Sequence, residues 1–137
     1  MPLDAELVAE TRAWFVRAND DLRAGSLMLA ASPPLLGTAV FHAQQAAEKS
    51  MKGFLTWHSK PFRKTHNLAE IGTLCVQIDQ TLTSLLHRAV PLTDFAWKFR
   101  YPGEPKEPSR DEAEAARALA RDVYTAMLDR LPAEVSP

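Results

Sequence analysis

Glycine, cysteine and long apolar runs are all scarce in this chain, and each scarcity removes a class of protein. Five glycines in 137 residues leave no Gly-rich loop to cradle a phosphate and no strand-to-helix nucleophile elbow. One cysteine, Cys75, cannot close an internal disulfide. Without a CxxC or mixed His/Cys spacing it reads as a small core residue rather than a ligand. HExxH is missing as well, and His42, His58, His66 and His87 fall on separate predicted elements, so neither a metal site nor a cofactor is expected. No apolar run reaches the roughly 18 residues of a membrane span. The opening Met1-Pro2-Leu3-Asp4 leads into acids rather than into a basic and apolar leader. A reducing, cytoplasmic compartment and no membrane partner are expected.

What is present is an ordinary globular composition, 46% hydrophobic and 24% charged, sufficient for one domain spanning 1–137 with a substantial core. The net charge of −1 hides an uneven distribution. Between Lys49 and His66 stand Lys49, Lys52, Lys60, Arg63 and Lys64 without one acid, whereas residues 1–48 and 111–137 each carry six acids against three arginines. An anionic ligand is expected to meet the chain at the basic segment.

No stretch alternates apolar and polar residues between turns, and no repeat is visible, which disfavours strands and solenoids. Val8, Phe15, Ala18, Leu22, Gly25 and Leu29 keep the three-and-four spacing of a helix over about 4 to 31. Ser32-Pro33-Pro34 stops it, and a second helix is predicted from about Leu36 to His58, antiparallel to the first because the connection is short. Asn67 and Glu70 have N-cap and N3 character for a shorter third helix ending near Gln77. A fourth apolar segment, about Gln80 to Trp97, contains Pro91 and should split there. After the proline-rich stretch through Glu104-Pro105-Lys106-Glu107-Pro108, Ser109 and Glu112 form a capping box for a last helix, Arg110 to about Leu131. Its stripe is Ala116, Ala120, Val123, Met127 and Leu131. The fold class is all-α: an antiparallel up-and-down bundle of four long helices plus one or two short ones.

The second helix carries an odd polar set. At about 100° per residue, His42, Gln45, Glu48, Lys49 and Lys52 share an arc about 120° wide, while Ala39, Val40, Ala43, Ala46, Ala47, Ser50, Met51 and Phe54 occupy the packing side. Glu48 and Lys52 at i,i+4 make ordinary sense on an exposed face, contributing about 0.2–0.5 kcal/mol. Charges buried without partners cost several kcal/mol each. The face is therefore expected to be open, or paired across a two-fold axis. It feeds into Lys60-Pro61-Phe62-Arg63-Lys64-Thr65-His66, and a second cluster, Trp97-Lys98-Phe99-Arg100-Tyr101-Pro102, follows the fourth segment. Three cationic elements around one groove are expected.

The segments FHAQQAAEKSMKGFL, FRKTHNL and LTDFAWKFRYPG, in this order and followed by a capped helix, resemble the HEPN domain over nearly the whole chain. The resemblance implies a bundle of four or five helices, commonly a homodimer, often acting with a small nucleotidyltransferase in a complex or toxin–antitoxin pair. Many such proteins are ribonucleases with an Arg-x(4–6)-His motif. None of the four histidines here has an arginine five to seven residues before it, so catalytic residues are not assigned. The matching positions are His42, Gln45, Glu48, Lys49, Lys52, Lys64, Thr65, His66, Leu68, Arg100, Tyr101 and Pro102. Leu68 is read as packing, and His66 either contacts a ligand or bonds locally ahead of its helix. Arg100 can grip a phosphate beside Tyr101 as a stacking ring, or pair with Glu48 inside the fold. The expectation is a binding module for a nucleotide or RNA phosphate through Lys49, Lys52, Lys64 and Arg100. The alternatives are an RNA-cleaving protein using Arg100 with His42 or His66, and a structural interaction subunit.

Overall fold

The computed structural model describes residues 2–103 and 106–137. Five α-helices follow one another: α1 Ala5–Ala30, α2 Leu36–Trp57, α3 Leu68–Ile78, α4 Thr83–Ala89 and α5 Arg110–Asp129. Short 3-10 turns cover Gln80–Leu82, Val90–Ala96 and Ala133–Val135. The described residues contain no strand, and the chain is all-α as expected.

The helix starts follow from their caps. The Asp4 carboxylate accepts the Glu6 and Leu7 N–H groups, and Asn67 accepts those of Ala69 and Glu70. Ser109 and Glu112 close the reciprocal box ahead of α5. Each satisfies amides that an opening turn otherwise leaves unbonded. α2 differs. Leu35 stands at its N-cap without a side-chain bond, and the Gly37 N–H is instead met by Glu107 from far along the chain, 2.6 Å to Oε2.

The expected break at Pro91 is present, and no fourth long helix forms among the described residues. The segment from Gln80 to Ala96 is three pieces, with only Thr83–Ala89 α-helical and Pro91 inside the following 3-10 turn. Proline at that point supplies no donor for an α ladder, so the chain tightens as it passes Pro91. Among the described residues three helices are long, α1, α2 and α5, where four were expected. Of the proline-rich stretch, Glu104 and Pro105 lie outside the described residues.

α2 is central. It touches α1, α3, α5 and the 90–96 turn. Gly25 of α1 lies beside Ala39 and Phe15 beside Gly53, so α1 and α2 run antiparallel. α5 is likewise antiparallel to α1, since Gly25 neighbours Arg117 while Phe15 stacks edge-on against Tyr124. Phe15, Leu22, Val40, Met51, Phe54, Leu55, Leu68, Ile71, Leu86, Val123 and Met127 fill the buried cluster between these helices. Gly53 is required by that packing: a Cβ there would stand 2.7 Å from the Phe15 ring. No helix among the described residues is long and apolar enough to cross a membrane.

Candidate functional site

Part of the polar arc of α2 turns inward, while His42, Gln45 and Lys49 stay half-buried. Glu48 is 4% exposed and Lys52 7%, because this side of α2 is covered by Trp14 of α1 and by the 58–67 connector. The expectation of an open face is corrected for these two residues: both charges are paired within the chain. Lys52 Nζ donates to Glu48 Oε2 at 2.9 Å. The same ammonium lies 5.9 Å from the Trp14 ring centre and 5.8 Å from that of Phe62, so aromatic faces replace part of its lost hydration. The other oxygen, Glu48 Oε1, meets His66 Nδ1 at 2.7 Å and accepts from Gln44 Nε2 at 3.1 Å. Gln44 also donates to the His66 carbonyl, and its own carbonyl accepts from Gln45.

Toward the start of the same helix the pattern repeats on a second carboxylate. Asp21 of α1, 7% exposed, places Oδ1 2.7 Å from His42 Nδ1 and accepts from Lys49 Nζ at 2.7 Å through Oδ2. Each buried carboxylate thus bridges one histidine and one lysine. A histidine tied by Nδ1 to a carboxylate is fixed in orientation, with Nε2 left for a ligand or for proton transfer. Asp21 escapes a reading that looks only for apolar stripes. Its signal was in the spacing: three residues after Ala18 and four before Gly25, it is an acid on the buried stripe of α1. Gln44 escapes similarly, an amide bordering the packing arc that is fully buried.

These pairings dismantle the basic segment. Lys49, Lys52 and Arg63 each acquire an acid from elsewhere, namely Asp21, Glu48 and Glu70. The Arg63–Glu70 pair is bidentate, and its hydrogen bonds hold the Glu70 carboxyl below its ordinary range. Lys60 and Lys64 are in no ion pair among the described residues. The cations also do not surround one groove. His66 belongs to the Glu48 end of α2, while Arg100 sits over Phe41 at the His42 end, about 9 Å away along the axis at 1.5 Å per residue.

Arg100 does not pair with Glu48. Its guanidinium lies over Phe41, 3.7 Å from the ring centre, in a cavity of about 320 Å³ lined by Gly37, Thr38, Phe41, His42, Phe99 and Arg100. Phe99 adopts a left-handed φ of 66°, a conformation that costs a side-chain-bearing residue on the order of 1–3 kcal/mol and here turns the chain so that Arg100 reaches Phe41. Tyr101 is 63% exposed and is not among the residues that line this cavity. A cation fixed by stacking, an imidazole fixed by a carboxylate and the Thr38 hydroxyl together suit a phosphate or another compact anion.

Other reactive groups are remote or inert. Cys75 is buried, its thiol pushed up to about 12 by desolvation, with Sγ directed at the Met51 carbonyl. No group of three or more histidine, cysteine or acidic side chains able to hold a metal occurs among the described residues.

Comparison with known proteins gave no match among curated proteins and none among solved structures. A family model described as HEPN domain matches residues 11–131, which takes in both bridged carboxylates and the Arg100 cavity. With all but the two ends of the chain matched, this protein belongs to the HEPN domain family.

Proposed function

We propose that this HEPN protein binds the phosphate of a nucleotide or RNA in the cavity between Arg100 and His42. The observation that carries the reading is the convergence of these two side chains, distant in sequence, on one cavity with Thr38, each held by its own device: Phe41 under the guanidinium and Asp21 behind the imidazole. Lys64 and His66 extend the contact for a longer strand. Lys52, enclosed with Glu48, supports the geometry rather than the ligand. The proposal extends to a homodimer and a nucleotidyltransferase partner in a toxin–antitoxin-like pair, as the family resemblance implies. Titration with ATP, GTP and short single-stranded RNA tests the binding. Saturable binding lost on Arg100→Ala is expected, and failure of all three to bind overturns the reading. Sedimentation at micromolar concentration and co-purification with a co-expressed nucleotidyltransferase test the assembly.

A second reading, RNA cleavage, is favoured by the paired histidines. Nδ1 anchored on a buried carboxylate with Nε2 free is the arrangement that lets imidazole act as general base or acid. In this reading His42 acts on a 2′-hydroxyl beside an Arg100-bound phosphate. RNA left intact after prolonged incubation, or cleavage unaffected by His42→Ala, rejects it.

A further inference from the structure

We infer that Glu107 is a built-in competitor at the Arg100–His42 cavity, an intramolecular carboxylate that a bound phosphate must displace or tolerate. The inference rests on the phosphate reading above and concerns regulation of that same site.

Glu107 approaches from the segment leading into α5. Its Oε2 accepts the Gly37 N–H at 2.6 Å across 70 residues of sequence. Gly37 is itself a wall of the cavity, next to Thr38 and one turn before Phe41. The contact is close on both oxygens: a Cβ at Gly37 would stand 2.7 Å from Oε2 and 3.2 Å from Oε1, and 3.1 Å from the Phe99 Cβ. Leu35 provides no side-chain cap for α2, so this carboxylate is the anion that the opening of the helix holds.

Two consequences follow for a second anion entering the cavity. It meets the field of a negative charge already at the rim, and it finds the Gly37 amide occupied. Both lower its affinity relative to a cavity with the same Arg100, His42 and Thr38 but no carboxylate at the edge. Glu107 is exposed, which leaves its side chain free to swing into solvent when a stronger anion takes the amide.

The test is calorimetric titration of the full chain with inorganic pyrophosphate, comparing wild type, Glu107→Gln, Glu107→Ala and Arg100→Ala. Glutamine keeps an acceptor for the Gly37 N–H and removes only the charge, so helix capping is preserved. Pyrophosphate should bind Glu107→Gln about two- to fivefold more tightly than wild type. Glu107→Ala, which also frees the amide, should bind at least as tightly despite a lower melting temperature. If Glu107 is only a cap, the alanine variant melts earlier and neither variant changes affinity. Binding that depends on Arg100 but is unchanged in both Glu107 variants overturns the competitor alone. Absence of binding in all four proteins overturns the phosphate reading and the competitor with it.

Discussion

Lys52→Met would leave Glu48 with His66 and Gln44 but without its ammonium, in a place where only 4% of the residue reaches solvent. Removing one partner of a buried pair costs about 3–5 kcal/mol, far above the few tenths of an exposed i,i+4 pair. Urea unfolding should show that loss as a lower midpoint with an unchanged slope. The double variant Glu48→Gln, Lys52→Met should recover part of it. A loss below about 1 kcal/mol would mean that the pair is solvated. Two titrating groups add checks with opposite character. Cys75, with its thiol pushed up to about 12 by burial, should resist alkylation at neutral pH until the protein unfolds. Thiol reactivity across a urea series follows this directly. His58, packed on the Phe54 ring, is held below its ordinary value chiefly by desolvation. The unfolded chain therefore takes up the proton first, so this residue contributes no loss above the ordinary histidine value and a loss of stability as pH falls through it to the lower folded value. In His58→Asn the stability-against-pH curve should be flatter in that window. The residues themselves were legible, since His42, Gln45, Glu48, Lys49, Lys52 and Arg100 were singled out from sequence. Their partners were not, because Asp21 and Gln44 acquire meaning only when α1 and the connector close over α2.

Helix boundaries were the most legible feature, for reasons local to each end. Proline after Ser32, the Asn67 cap and the Ser109–Glu112 box act within one turn, and the observed ends of α2, α3 and α5 fall within two residues of the sequence reading. The segment from Gln80 to Ala96 was harder. Its apolar content suits a long helix, and how far one proline disrupts it depends on packing against α2 and α3. Ser109→Ala should remove the Glu112 N–H acceptor and one half of the box, lowering stability by about 1 kcal/mol. Circular dichroism should show helix content almost unchanged at low temperature and an earlier melt. Gly53→Ala tests a tertiary demand. The added methyl meets the Phe15 ring at 2.7 Å, so despite alanine's better helix propensity this change should destabilise by about 1–3 kcal/mol. A stabilised Gly53→Ala protein would show that Phe15 moves aside at little cost.

At the scale of the molecule, folding redistributes charge, and that decides how RNA binding should respond to salt. A local excess of five cations between Lys49 and His66 would, if every one met a phosphate, give a slope of log affinity against log salt of about −3.5 for a single strand. Folding brings Asp21, Glu48 and Glu70 against Lys49, Lys52 and Arg63. Cations already paired release few counterions when an anion arrives. Lys60 and Lys64 remain, joined by Arg100 from the distant loop. Three contacts predict a slope of about −2, and Arg100→Ala should bring it to about −1.4. Fluorescence anisotropy of a short single-stranded RNA between low and moderate salt measures both values. A wild-type slope near −3.5 would mean that RNA draws lysines away from Asp21 and Glu48, so that the buried pairs open on binding. An unchanged slope in Arg100→Ala would place the phosphates on the connector and leave the Phe41-stacked guanidinium without a role in RNA contact.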